Sequence, residues 1–303
     1  MMKEFSLPSQ HGKLRGVIWD EVENPVGTVQ IFHGLVEYHG RYQETAEYLN
    51  ENGFIVYCSD HLGHGLNVTH GGLKGFFKDE NGYEAVVDQL GEMNSFIRKE
   101  NPMLKHFVLS HSLGTALVLS LLKRNIFFDG VLLSAAFSVS NLMIYLNKIL
   151  LLPEYLFQGK RGISSDMEKF TTQKHNSFYE PNRTTHDYLS SDKDKVDEYV
   201  ADDLCGFANT TQLWQDLSSG FLNLWTKNTF SQFDSEIPFY LITGDQDKVN
   251  NDGKQAEDIH ALLVQSGFKS ELEVFKNIRH EPFQEVDRKK VLESVIKFFK
   301  SNI

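Results

Sequence analysis

A serine stands at the junction between an apolar run and a helical pattern in the segment Val108–Gly114, which reads VLSHSLG. The spacing matches a G-x-S-x-G nucleophile elbow in which Ser110 takes the place of the first glycine. Such a strained corner lifts the Ser112 hydroxyl clear of the backbone and places the Leu113 N–H at a helix start, facing developing negative charge. The alternative is a serine N-cap on a core helix. The strand–turn–helix context favours the nucleophile.

A serine hydroxyl is a weak nucleophile, so it needs a general base, and the base needs an orienting carboxylate. Two loops downstream of Ser112 offer candidates, each directly after a predicted strand: GDQDKV contains Asp247 and IRHE contains His280. Carboxyl ends of strands are where open α/β sheets place their sites. Asp245 competes with Asp247, which is preferred, and the structural alternatives are a turn-capping carboxylate and a surface-loop histidine.

The negative charge that develops on a substrate carbonyl requires a second amide donor besides the Leu113 N–H. The loop after an early strand is the expected source. His33-Gly34-Leu35 is that loop, and the Leu35 N–H is the candidate. Gly34 lets the backbone approach closely. The alternative is that these residues form a simple tight turn.

The elements that must position these residues alternate along the chain. Apolar runs rich in β-branched and aromatic residues predict seven strands: Leu14–Trp19, Thr28–Phe32, Phe54–Cys58, His106–Ser110, Gly130–Leu133, Pro238–Thr243 and Leu272–Phe275. Helical spacing predicts five helices between them: Tyr42–Glu51, Tyr83–Lys99, Leu113–Arg124, Lys254–Gln265 and Arg288–Lys300. This alternation predicts right-handed crossovers and a mostly parallel sheet covered by helices on both faces.

One long stretch interrupts the alternation, because residues 139–230 hold helical patches and loops but no convincing strand. A structureless loop of this length would be unusual. We therefore predict a core in two parts, residues 1–138 and 231–303, and a helical insertion at 139–230. Within that insertion, Leu142–Phe157 has a broad apolar face that either packs on the core or touches acyl chains and lipid aggregates.

Composition excludes several classes of protein. The 303 residues carry 30 basic and 41 acidic side chains, a formal charge of −11, which disfavours nucleic acid and anionic lipid as partners. No apolar stretch is long and uninterrupted enough to span a bilayer. The two cysteines, Cys58 and Cys205, form no disulfide framework. With a mixed, polar N-terminus, we expect a cytoplasmic protein.

Taken together, these motifs resemble the α/β-hydrolases of the monoacylglycerol lipase and lysophospholipase group, which overlaps the serine aminopeptidase family. The resemblance covers almost the whole chain. It rests on HGLVEYHGRY at 33–42, DHLGHG at 60–65, the elbow, the acid loop at 244–249 and RHE at 279–281, in the family order. It departs from the family at Ser110 and at Leu35, a position often held by a small residue.

The resemblance implies an α/β-hydrolase fold with a mostly parallel central sheet and a helical cap inserted after the sixth-strand region. It implies Ser112 as nucleophile, His280 as base, Asp247 as acid and the Leu35 and Leu113 N–H groups as the oxyanion hole. We therefore predict a serine esterase acting on acylated or lipid-like substrates. With an imidazole pKa near ~6.5, its activity should fall below roughly pH 6.

No metal or organic cofactor is expected, because His61 and His64 lack a matching ligand cluster and no Gly-rich phosphate loop is present. The alternatives are a thioesterase, a non-catalytic binding protein, or a peptidase acting on a free N-terminus. A peptidase would need cap carboxylates, for which Asp192, Asp194, Asp197 and Glu198 are candidates. Transient membrane or micelle contact through the cap is a further expectation.

Overall fold

A single mixed sheet forms the centre of the computed structural model, which describes residues 2–303. Within these residues the sheet has eight strands in the order β1-β2-β4-β3-β5-β6-β7-β8. They are β1 (Met2–Ser9), β2 (Gly12–Trp19), β3 (Gly27–Phe32), β4 (Phe54–Ser59), β5 (Lys105–His111), β6 (Gly130–Ser134), β7 (Phe239–Gly244) and β8 (Ser270–Phe275). The β1–β2 and β2–β4 pairs are antiparallel and the others parallel. The predicted mostly parallel sheet is therefore confirmed.

Helices cover both faces of this sheet. They are α1 (Gln43–Glu51), α2 (Gly65–Thr69), α3 (Gly82–Glu100), α4 (Leu113–Leu122), α5 (Asn141–Gln158), α6 (Ser165–Glu168), α7 (Lys174–Ser177), α8 (Lys193–Ala201), α9 (Thr211–Gly220), α10 (Lys227–Phe230), α11 (Lys254–Gln265) and α12 (Arg288–Lys300). One apolar cluster joins α3, α4 and α11 to the sheet, and a second joins α1 and α12 to its other face. Helix α4 is buried along its whole length because its sequence is apolar nearly all round.

The first strand was not anticipated, since we assigned no strand before Leu14. Strand β1 lies at the edge of the sheet and is exposed along most of its length. Its contribution to the core is limited to Phe5 and Leu7, which are partly buried against a small cluster that includes Leu14 and Tyr57. A strand that buries so little has only a weak apolar pattern, so pairing with β2 rather than composition determines it.

The chain between β6 and β7 contains helices α5 to α10, and within it the described residues form one isolated bridge, Ile163 with Thr210, but no strand. Residues 139–230 are called the inserted segment below. Its boundaries, like those of the two core segments, remain predictions, and residue 1 of the first core segment lies outside the described residues.

Helix α5 has two different sides. Ile144 and Leu151 are fully buried, whereas Leu142, Ile149, Leu156 and Phe157 are among its exposed side chains. The two interpretations of this apolar stretch, packing on the core and contact with acyl chains or lipid aggregates, therefore each have residues that fit them. Within residues 2–303, none of the helices combines the length and apolar character needed to cross a bilayer.

Candidate active site

The turn between β5 and α4 holds Ser112 in an unusual backbone conformation, with φ 49° and ψ −116°. Its N–H donates to the Ser134 carbonyl at 3.0 Å, which fastens the corner to β6. Gly114 is required here, because a Cβ at this position would overlap the carbonyl oxygen of Phe32. Ser110 is accommodated at the other small position, where its buried hydroxyl donates to the Leu132 carbonyl at 2.7 Å.

Three predicted residues from three separate loops meet at this corner. The Nε2 atom of His280 lies 3.0 Å from Ser112 Oγ, and its Nδ1 lies 3.0 Å from both carboxylate oxygens of Asp247. Asp247 is fully buried and also accepts the Val249 N–H at 2.9 Å. Asp245 is turned away, since it accepts the Asn277 N–H and pairs with Lys276 at 3.2 Å.

The electrostatics of this chain of residues suit proton transfer at His280. Burial alone would lower the pKa of His280, but the charge and hydrogen bond of Asp247 raise that pKa above the ordinary imidazole value. The neighbouring His111 lies with its ring centroid 5.1 Å from that of His280. Burial, followed by the charge of His280, holds the pKa of His111 well below the ordinary value, so His111 is a neutral packing group.

The predicted oxyanion donors, Leu35 and Leu113, both line the same cavity as Ser112. Within residues 2–303, neither of their backbone N–H groups donates to a protein acceptor. The loop that carries Leu35 runs against the elbow, because a Cβ on Gly34 would lie 3.4 Å from the Cβ of Ser112. Two amides near the serine are thus available to a bound group.

Glu37 was not singled out by the sequence analysis, although it lies beside these amides. Its buried carboxylate accepts the Gly34 N–H and, at 2.8 Å, the Tyr42 hydroxyl. Burial, together with the nearby charge of Glu281, raises the pKa of Glu37 to about 7. Its spacing three residues after Gly34 was the only signal in the sequence, and that spacing alone does not reveal a turn-closing carboxylate.

A cavity of about 300 Å³ opens at Ser112 and His280. Apolar side chains of the inserted segment form much of its wall, among them Ile144, Met167, Trp214, Leu217 and Phe221. Polar side chains also line the cavity, among them Thr171, His175 and Asn209. Such a lining, largely apolar with a few convergent polar groups, is typical of sites for small organic ligands.

The other candidates from the sequence lie outside this cavity. Asp192 pairs with Arg288, Asp197 with Arg183 and Glu198 with Lys195, and Asp194 is exposed. Cys205 is buried near Tyr188 and Tyr199 but does not line the cavity. His61 stacks on His33 at 3.8 Å between ring centroids, and no described residues form a cluster of three or more potential metal ligands.

Comparison with known proteins identifies the family. The sequence profile described as serine aminopeptidase, S33, matches residues 23–287. The chain belongs to this family. The resemblance deduced from the motifs is thereby confirmed, and the chain is an α/β-hydrolase.

Curated relatives of this S33 family member include lipases. The monoacylglycerol lipase of Mycolicibacterium smegmatis is 23% identical over 300 residues, which cover 94% of this chain and 92% of the relative. The monoglyceride lipase of Rattus norvegicus is 25% identical over 236 residues, covering 76% of this chain and 68% of the relative.

Solved structures share the fold. A carboxyl esterase from Bacillus coagulans, solved in complex with glycerol, superposes with a TM-score of 0.89 at 24% identity, covering 99% of this chain and 98% of the esterase. The predicted fold class is therefore confirmed for this S33 family member.

Proposed function

We propose that this chain is a serine hydrolase that cleaves carboxylic esters of acylated or lipid-like substrates, of the monoacylglycerol or lysophospholipid class. The observation that carries the proposal is the hydrogen-bonded chain from Ser112 through His280 to Asp247 at the end of a largely apolar cavity. The lipase relatives support the substrate class, since this chain spans most of the length of both.

The reaction begins when Ser112 Oγ attacks the ester carbonyl carbon and its proton passes to His280 Nε2. Asp247 holds the imidazole by Nδ1 and stabilises the imidazolium that forms. The Leu35 and Leu113 N–H groups stabilise the oxyanion. The C–O bond to the alcohol then breaks, and His280 gives its proton to the departing oxygen. Water, deprotonated by His280, attacks the acyl-enzyme and releases the acid and Ser112.

Ester hydrolysis is favoured over aminopeptidase activity by the charges around the cavity. The carboxylates predicted to hold a substrate ammonium are paired or exposed outside it. Three carboxylates line the cavity. Glu281 pairs with Arg41 at 2.7 Å, Glu37 is occupied by the Gly34 N–H, and burial raises the pKa of Glu168, which disfavours its charged form. An ammonium group would therefore find little compensation for its lost hydration.

The proposal is tested with nitrophenyl esters of graded acyl length and with a fluorophosphonate probe that labels nucleophilic serines. We expect hydrolysis and labelling in the wild type and neither in Ser112→Ala. The control is Ser120→Ala, which removes a buried hydroxyl on α4 that contacts Tyr83 and should retain both. Equal activity in Ser112→Ala and wild type would refute the assignment, and activity on aminoacyl amides or thioesters alone would support the alternatives.

Contact with lipid aggregates forms part of the proposal, because the exposed face of α5 is apolar and uninterrupted by charge. Leu142, Ile149 and Leu156 are each about two-thirds exposed or more. The two charged residues of this helix are half-buried and bound to neighbouring serines, Lys148 to Ser219 and Glu154 to the Ser164 hydroxyl. The same helix lines the cavity through Ile144 and Asn147.

An Ile149→Asn/Leu156→Asn double variant tests this contact. We expect weaker binding to phosphatidylcholine vesicles and slower hydrolysis of emulsified long-chain esters, with unchanged hydrolysis of a soluble short-chain ester. Met103→Asn, at a still more exposed apolar side chain before β5, is the control. Equal vesicle binding by the double variant and the wild type would remove α5 as the contact.

A cytoplasmic location is retained within the proposal, since Cys58 and Cys205 are both buried, free thiols.

A further inference from the structure

Three consecutive backbone N–H groups of the loop between β3 and α1 differ in their hydrogen-bond acceptors. The Gly34 N–H donates to the Glu37 carboxylate, and the Val36 N–H donates to Nε2 of His64 at 3.1 Å. Between them, the Leu35 N–H has no acceptor among the described residues. The loop thus satisfies the amides on either side of the Leu35 N–H and leaves that one without an acceptor.

The state of His64 follows from this contact. An amide N–H can only donate, so Nε2 carries the lone pair and the ring proton is on Nδ1, which donates to the Leu62 carbonyl at 3.0 Å. Burial lowers the pKa of His64 to about 4, so the ring is neutral at physiological pH. His64 is therefore an amide acceptor of fixed tautomer.

The ring itself is held in place by other side chains. Its centroid lies 5.4 Å from that of Phe207, 6.0 Å from that of Phe77 and 5.5 Å from that of His33. His64 is fully buried and does not line the cavity, so it has no access to substrate. Any influence on the reaction must act through the loop.

The loop needs such support at Val36, a β-branched residue with φ 55° in the left-handed region. Its N–H is bound by His64, and its carbonyl accepts from the Tyr199 hydroxyl at 3.0 Å and the Gly206 N–H at 2.9 Å. An unfavourable conformation of this kind persists only where its surroundings impose it.

We propose that His64 is a positioning residue that imposes this conformation and thereby keeps the Leu35 N–H in place for the oxyanion. The inference rests on the proposed function. Without the acceptor at His64, Val36 can leave the left-handed region, and the loop relaxes about Leu35. Because the interaction with the oxyanion exists only in the transition state, its loss lowers kcat and leaves KM nearly unchanged.

Two substitutions at the same position separate positioning from packing. His64→Phe keeps a ring among Phe77, Phe207 and His33 but removes the acceptor, whereas His64→Gln offers a side-chain oxygen close to the former Nε2. We expect His64→Phe to lower kcat about 10- to 100-fold, less than or similar to the loss of one oxyanion donor. We expect His64→Gln to recover most of this loss. Affinity for a boronic acid transition-state analogue should fall with kcat.

The control is His106→Phe, which removes a different buried neutral histidine, bonded to Thr28 on the sheet, and should leave kcat unchanged even if it lowers the melting temperature. Equal kcat in His64→Phe and wild type, or equal losses in His64→Phe and His64→Gln, would overturn the inference. The rate of Ser112 labelling by the fluorophosphonate gives a readout that does not depend on the substrate. A wild type that neither labels nor hydrolyses esters would instead refute the proposed function.

Discussion

The imidazole of His280 lies with Nε2 3.0 Å from the Oγ atom of Ser112, although 168 positions of chain separate the two residues. The sheet creates this proximity. Ser112 follows β5, Asp247 follows β7 and His280 follows β8, so parallel strands deliver all three to the same edge. The consequences of this arrangement can be measured one residue at a time.

Asp247→Asn should lower kcat about 10³- to 10⁴-fold, because the amide can donate to His280 Nδ1 and so favour the wrong imidazole tautomer. Steady-state kinetics on a soluble ester give the measurement. Asp245→Asn is the matched control, since that carboxylate lies two residues away and binds Asn277 and Lys276. Similar losses in both variants would mean that Asp247 has no special relation to the histidine.

The pH profile of kcat/KM should have an acid limb governed by His280. The base must be neutral to accept the Ser112 proton, and Asp247 raises its pKa above the ordinary value of about 6.5. Activity should therefore decline as pH falls through a midpoint above that value, somewhat higher than the sequence alone suggested. Rates measured between pH 4 and 9 at constant ionic strength test this, and a profile flat down to about pH 4 would exclude His280 as the base.

Gly114→Ala should destabilise the protein by about 2 kcal/mol or more, because the added methyl group overlaps the backbone carbonyl of Phe32 and the sheet must shift. Gly91→Ala is the control. Its methyl group would lie 3.2 Å from the flexible end of Leu121 and 3.9 Å from Ile126. Gly91 also lies inside α3, where alanine is favoured over glycine. Chemical denaturation of both variants provides the comparison, and equal stability would contradict the close packing of the elbow.

Asp216→Asn should change the pH dependence of stability. Burial raises the pKa of Asp216 to about 6 against the opposing hydrogen bonds of Gln212 and Gly82. Between about pH 4 and pH 6 the folded wild type binds this proton more tightly than the unfolded chain. The proton bound at Asp216 therefore stabilises the folded state fully below about pH 4, and this stabilisation is lost as the pH rises through about 6. The variant lacks this titration.

Relative to wild type, Asp216→Asn should therefore gain on the order of 1–2 kcal/mol of unfolding free energy between pH 4 and pH 7. Urea unfolding at several pH values measures the difference. Asp79→Asn, at an exposed carboxylate paired with Arg161, should show no such trend. A difference between Asp216→Asn and wild type that is constant with pH would show that Asp216 does not titrate in this range.

Much of the fold was predictable because its strands are either fully buried or strongly patterned. Strand β3 is buried at every residue, and such continuous apolar runs are recognisable without tertiary information. Strand β1 was missed because only Phe5 and Leu7 contribute to the core. Residues 139–230 were predicted to be helical because they lack strand patterns, and not because the individual helices were recognised.

The candidate site was predictable to a different degree. Motif spacing singles out residues whose local turn is distinctive, such as Ser112 and the loop at His33-Gly34-Leu35. It did not single out His64 for its contact with Val36, which joins residues 28 positions apart and depends on how two loops meet. From the sequence, His64 was considered as a metal ligand and as part of the DHLGHG motif at 60–65, because a histidine's hydrogen-bond partner cannot be deduced from its neighbours in sequence.

The contacts between the inserted segment and the loop of His280 limit how this enzyme could be redesigned. The N–H groups of His280 and Glu281 donate to carbonyls at Tyr188 and Leu189, and the Ser190 hydroxyl donates to Gln284. A wholesale exchange of residues 139–230 for those of a relative would keep these bonds only where the new segment brings its carbonyls to the same positions. Asn176 on α7 belongs to the same support, because its side-chain oxygen accepts the Tyr188 N–H at 3.1 Å. Grafts confined to α5 and α6 would leave these contacts intact, so the cavity wall can be altered there while the histidine keeps its support.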